Sequence, residues 1–93
     1  MRPRQIDVLL LLATARGPMS RTTVAERLGI HRVRVEVLGS LLDCGLVQEK
    51  RMTIDDGLTE RVLSITPAGR ALAREIHTRQ RLAALSNRNG TNH

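Results

Sequence analysis

Apolar positions recur with a helical period in four stretches of the chain and alternate with a strand period in two. From Pro3 to Ala15, residues Ile6, Leu9, Leu10 and Ala13 line one helical face, and Val8, Leu11, Leu12 and Ala15 line the opposite one. A helix that is apolar on both sides is buried on both sides. In so small a chain, the second cover is expected from another subunit. A sandwich within one chain would satisfy the same pattern.

Arg16-Gly17-Pro18 interrupts the first helix, and Ser20 then suits the N-cap of a second over Arg21–Leu28. Gly29 can supply the left-handed backbone that ends it. A third helix is expected from about His31 to Cys44, closed by Gly45 with Leu46 as the apolar contact beyond the cap. Ala25 falls where these two helices would cross, Ile30 is the apolar plug between them, and Val35 and Leu38 hold the third helix against the second. Small and apolar residues at these spacings fit a helix-turn-helix, in which one helix braces another presented to a DNA groove. On a 100° wheel, Val35, Leu38, Leu41 and Leu42 face inward, and Arg32, Glu36, Gly39, Ser40 and Asp43 face outward. Arg34 falls at the centre of the apolar face, so either it snorkels toward a phosphate or the helix starts later.

Beyond Leu46 the period shortens. Val47–Ile54 and Leu58–Ile65 read as two strands around a loop of Asp55, Asp56 and Gly57. That loop sets Ile54 opposite Leu58 and therefore Arg51 opposite Arg61. Like charges facing each other across strands are destabilising, and a phosphate between them would remove the cost. Thr66-Pro67 has the N-cap and first-turn residues of a last helix, with a sparse stripe of Leu72, Ile76 and Ala83 extending to about Leu85. The pattern is mainly α with a small β-hairpin. One domain is expected over residues 1–86, including the C-terminal helix at 67–85, with a polar, disordered tail at 87–93.

Composition narrows the partners. The 93 residues contain no Phe, Tyr or Trp. Modules for single strands and RNA stack bases on aromatic rings, so duplex DNA is the nucleic acid that this chain suits. Fifteen Lys and Arg, 14 of them Arg, face nine Asp and Glu for a net charge of +6. By segment, residues 1–16 carry +2 and 67–93 carry +4, whereas 31–44 are neutral. The surplus sits at the two ends of the chain rather than on the third helix. The single cysteine, Cys44, excludes a disulfide framework and is expected to be a buried structural residue. The apolar run Val8–Leu12 is too short for a membrane span, and the N-terminal segment resembles an export signal only superficially, so a cytoplasmic protein is expected. His31, His77 and Cys44 share no metal-ligand spacing, and no nucleophile–base set or phosphate loop occurs. No cofactor, no metal and no enzyme are expected.

Three phrases carry a family resemblance: Val24-Ala25-Glu26-Arg27-Leu28-Gly29-Ile30, Leu41-Leu42-Asp43-Cys44-Gly45-Leu46-Val47, and Leu63-Ser64-Ile65-Thr66-Pro67-Ala68-Gly69-Arg70. With them, residues 4 to 85 resemble a winged helix-turn-helix transcriptional regulator, most like the small MarR and PadR-type repressors. The resemblance implies three helices, a hairpin wing and a C-terminal dimerisation helix. It implies base or phosphate contacts from His31, Arg32, Val33, Glu36, Val37 and Ser40, with Arg32 suited to pair both acceptors of a guanine. Arg34, Arg51 and Arg61, and Ser20, Arg21 and Thr22 at the start of the second helix, are candidates for phosphate. Asp55 and Asp56 depart from the basic wing tip common in this family. A homodimer through the first and last helices is expected, repressing from an inverted repeat. An architectural or recombination-accessory protein of low sequence choice is the alternative, and a protein-interaction module is a second.

Overall fold

The computed structural model describes residues 1–53 and 57–90, with side chains through Leu85. Four helices and three strands follow in the order α1 (Pro3–Thr14), β1 (Met19–Ser20), α2 (Arg21–Leu28), α3 (Val35–Asp43), β2 (Val47–Thr53), β3 (Thr59–Ile65) and α4 (Pro67–Gly90). The sheet is antiparallel, with β3 between β1 and β2. The hairpin has the expected register, Val47 opposite Ile65 and Arg51 opposite Arg61. Ile54, Asp55 and Asp56 lie outside the described residues, so the acidic tip does too.

β1 is an addition. Two residues give no readable period, yet Met19 pairs with Leu63 and Ser20 with Val62, which ties the start of α2 to the wing. Ser20 also caps α2 as its sequence suggests: its Oγ accepts the Thr23 N–H at 3.1 Å and donates to Thr23 Oγ1 at 2.9 Å.

α1 runs through the middle of the core. Val8, Leu9 and Leu12 are buried, and Leu10, Leu11 and Ala13 pack against the same cluster as Val24, Ala25, Leu38, Leu41, Val47, Leu63 and Ala73. α1 touches α2, α3, β3 and α4, so both of its apolar faces find cover inside one chain. This is the single-chain sandwich that the pattern also allows; Leu10, Ala13 and Thr14 in addition line an open groove shared with α4.

Two helices end in the same way. Gly29 and Gly45 adopt φ of 69° and 70°, where only glycine avoids a Cβ penalty. After each, the next N–H reaches back to close the helix: Ile30 to the Ala25 carbonyl and Leu46 to the Leu41 carbonyl, both at 3.0 Å. Leu46 then holds α4 as well. Its carbonyl accepts the Thr66 N–H at 3.1 Å. Thr66 Oγ1 donates to the Gly45 carbonyl at 2.6 Å and accepts the Gly69 N–H at 3.0 Å, capping α4. Gly69 is buried against this junction, where a Cβ would run into the Leu46 carbonyl oxygen and Ile65 Cγ1.

α4 continues through Gly90, beyond the Leu85 boundary expected from its stripe. The expectation of a disordered tail from residue 87 thus meets helical backbone to Gly90, and 91–93 lie outside the described residues. Leu72 and Ile76 pack on the core and Ala73 is buried, but Ala83 is exposed, because α4 has by then run past α1. The helix, about 36 Å long at 1.5 Å per residue, contributes to the elongated shape of the molecule, 62 Å against 26 and 25 Å across. Among the described residues, no helix is long and apolar enough to cross a membrane.

Two helical glycines should respond oppositely to alanine. Helix propensity alone favours Ala by about 1 kcal/mol. Gly39 in α3 has open space at its Cβ position, so Gly39→Ala should raise the unfolding free energy by roughly 0.5–1 kcal/mol. At Gly69 the backbone clash outweighs propensity, and Gly69→Ala should lower it by roughly 1–3 kcal/mol. Urea unfolding of both variants checks the signs; a stabilised Gly69→Ala would remove the junction from its structural role.

Candidate nucleic-acid interface

The third helix starts later than its sequence pattern suggests, and this rearranges the candidate contacts. α3 begins at Val35, with Arg34 in extended backbone at the N-cap (φ −67°, ψ 145°), and residues 30–34 form the turn from α2. Of the two alternatives for Arg34, the later start is the one observed. Freed from the helix, Val33 turns into the core at 9% exposure, and Val35 projects outward at 74%. Val33 is thereby corrected from a candidate base contact to a core residue, and Val35 from a core residue to a surface one. The helical rotation begins only at Val35, after the extended Arg34, so a 100° wheel carried back through His31–Arg34 does not hold.

The remaining candidates on this element stay at the surface. His31, Arg32, Arg34 and Glu36 are exposed, and Val37 and Ser40 are half-buried. Leu38 and Leu41, one and two turns into α3, are almost fully buried. The helix is thus anchored by its interior face while its first turn remains open.

The folded chain also redistributes charge. A groove of about 910 Å³ runs beside the first turn of α3, with His31, Arg32, Arg34, Val35 and Glu36 on one side and Arg2, Arg4 and Asp7 of α1 on the other. Sequence segments had placed the N-terminal surplus far from the neutral third helix. In three dimensions four arginines share one depression with two carboxylates. Arg2 and Arg4 are candidates that sequence reasoning missed; only the packing of α1 onto α2 and α3 brings them there.

The wing brings a different correction. Glu49, on the same strand face as Arg51, sits between two of the candidate cations. Arg21 Nε donates to its Oε2 at 2.8 Å with Nη2 2.7 Å from the same oxygen, and Arg61 Nη1 lies 3.9 Å from its Oε1. Glu49 is 18% exposed, whereas Arg21 and Arg61 are 42% and 59% exposed. The opposition of Arg51 and Arg61 is therefore eased from within the protein on the Arg61 side. Arg21 is oriented toward the wing by a two-pronged contact, and Thr22 beside it is exposed. The Ser20 oxygen is already occupied by its cap. No pattern rule points to Glu49, since its partners lie 28 and 12 residues away.

Cys44 is exposed at the end of α3, contrary to the expectation of burial. The Gly45 turn directs the chain away there, and the apolar contact beyond the cap comes from Leu46 instead. Among the described residues, no three His, Cys, Asp or Glu side chains are grouped to hold a metal ion.

No protein-family model matches the sequence, and no curated protein matches it. Solved structures do. A variant of ZitR from Lactococcus lactis in its apo form is 22% identical, with a TM-score of 0.71 over 96% of this chain and 65% of that one. The PcaV transcriptional regulator from Streptomyces coelicolor, in complex with its natural ligand, is 29% identical, with a TM-score of 0.69 over 85% of this chain and 55% of that one. A probable transcriptional regulator from Pseudomonas aeruginosa is 28% identical, with a TM-score of 0.64 over 90% of this chain and 66% of that one. The chain spans between 55% and 66% of the length of these three structures. Helix-turn-helix, paired wing and C-terminal helix together give the chain the winged-helix fold of transcriptional regulators, consistent with the MarR type that its sequence resembles.

Proposed function

We propose that this chain is a cytoplasmic transcriptional regulator, not an enzyme, that binds duplex DNA as a homodimer and represses from an inverted repeat. The observation that carries this reading is the first turn of α3. Its inner face is fixed by Leu38 and Leu41, and its outer end presents Arg32, Arg34, Val35 and Glu36 to solvent beside a basic groove. An exposed valine on a firmly held helix end has no packing role. In a major groove it fits the methyl of thymine, while Arg32 fits the two acceptors of guanine and Glu36 the amino group of cytosine. The wing lies along the flanking backbone with Arg51 and Arg61. Two copies of α3 enter successive major grooves about 34 Å apart, and occupancy of the promoter blocks transcription.

The surface for the second copy is α4. Its distal half carries Leu82 and Leu85 at 60% and 51% exposure. The open edge of α1 at Leu10 and Ala13 extends that surface. A helix that projects beyond its domain with apolar side chains gains stability when another subunit covers them.

Selection of bound duplexes from a random pool tests the reading as a whole. A dyad-symmetric motif is expected, and binding to it should survive excess random DNA. Enrichment without a motif would favour the architectural alternative, and no duplex binding at low salt would favour a protein-interaction module. On the selected site, Arg32→Ala should cost roughly 1–3 kcal/mol and relax one base position. Unchanged selectivity would take Arg32 out of the reading role. Leu82→Glu combined with Leu85→Glu should shift the chain from dimer to monomer in sedimentation equilibrium; a dimer that persists would place the interface elsewhere.

A further inference from the structure

The N-terminal end of α1 breaks an electrostatic rule. The positive end of a helix macrodipole favours acids, and each charge there contributes roughly 0.3–1 kcal/mol according to its sign. α1 has no acid in its first turn, and carries Arg2 at its N-cap and Arg4 within the turn. Asp7 lies 3.7 Å from Arg4, but both side chains are about half exposed, at 44% and 50%. Such a pair contributes little and exchanges readily. Two cations are thus held at the end of the helix least suited to them.

The backbone that carries them is fixed. The Arg2 N–H donates to Gln5 Oε1 at 2.9 Å, which ties Arg2 to the helix start, and Pro3 fixes the backbone at the next position. Across the groove stand Arg32 and Arg34. The four guanidinium groups are solvent-exposed, so this is not an enclosed site for a small anion, which could satisfy only one or two of them. An extended polyanion can engage the set.

From this placement we infer that the N-terminal end of α1 is part of the DNA interface. Arg2 and Arg4 engage the phosphate backbone beside the first turn of α3. The inference rests on the duplex-binding reading above and extends it to an element outside the helix-turn-helix and the wing. The groove then has a division of labour: α3 reads bases, while the wing and the α1 end each hold a backbone. Because phosphate contacts carry no sequence information, the contribution of Arg2 and Arg4 is uniform over sequences and strongly salt-dependent.

The test uses the full chain, with Arg2→Gln plus Arg4→Gln compared with the wild type. Binding is measured on the selected duplex and on a random duplex of equal length, from 50 to 200 mM salt, a range over which each phosphate contact is worth about half a decade of affinity. The slope of log affinity against log salt should fall in magnitude by about 1.8, from two lost phosphate contacts. Affinity for both duplexes should drop by the same factor, roughly tenfold or more at 0.1 M salt. The thermal midpoint should stay level or rise, because an unfavourable dipole interaction is removed. Arg2→Lys plus Arg4→Lys should retain the slope. An unchanged slope in the glutamine variant, or a loss confined to the selected duplex, overturns the assignment to backbone. A wild type that binds no duplex fails the parent reading as well, so the two failures are distinguishable.

Discussion

The close approach of Gly69 to the Leu46 carbonyl is the constraint on which the rest of the molecule depends. The Leu46 N–H closes α3, its carbonyl receives Thr66, and Val47 beyond it opens the first pair of the wing ladder. Thr66 hydrogen-bonds back to Gly45 and forward to Gly69. Four elements therefore meet within a few residues: the end of α3, the start of β2, the end of β3 and the start of α4. A side chain at residue 69 would force them apart by the thickness of a methyl group. Without one, the reading helix, the wing and the long C-terminal helix are set at fixed angles to each other. In a dimer through α4, this junction would also fix how far apart the two reading helices stand.

Much of this was legible in the sequence, and the elements that were legible share a cause. α2 and the hairpin register are set by local chemistry: a serine cap, a glycine that must adopt positive φ, a loop whose length fixes which residues face each other. The boundaries of α3 are set by long-range packing instead. Val33 and Val35 are both β-branched and apolar, and either could fill the space between α2 and α3. The core takes Val33, in the non-helical turn before α3, and leaves Val35 outside, a choice that no periodicity within the segment records. β1 escaped notice for a related reason, since two residues become a strand only through the edge that β3 offers them. Gly69 was legible as a residue of a familiar phrase, but its purpose lies in a carbonyl 23 positions earlier.

The electrostatics required the fold most of all. Summing charge along the chain separates a basic N-terminus from a neutral third helix, yet α1 passes through the core and returns its first turn to the side of α3. The wing shows the converse. Arg21 and Arg61 count as free cations in sequence, but Glu49 engages both, and their availability to a phosphate is reduced accordingly. The basic surface of the reading head is thus moved toward α1 and away from the start of α2. Sequence distance is a poor guide here because Coulomb interactions depend on separation in space, screened over a Debye length of about 8 Å at physiological salt.

Departures from local rules are spread unevenly over the surface. Val35 is an exposed β-branched residue on a well-anchored helix, and Arg2 and Arg4 oppose a helix dipole. Elsewhere the chain obeys the same rules closely: each glycine-closed helix ends with its back-bonded N–H, Ser20 and Thr66 both cap, and no polar group is buried without a partner among the described side chains. A chain of this size has little stability to spare, since a small domain buries a smaller fraction of its surface than a large one. Unfavourable choices that persist in such a chain are informative when they lie together. Val35, Arg2 and Arg4 do lie together, around the groove beside α3. A hydrophobic contact and a set of phosphates would satisfy them at once, and a DNA duplex offers both on a single surface.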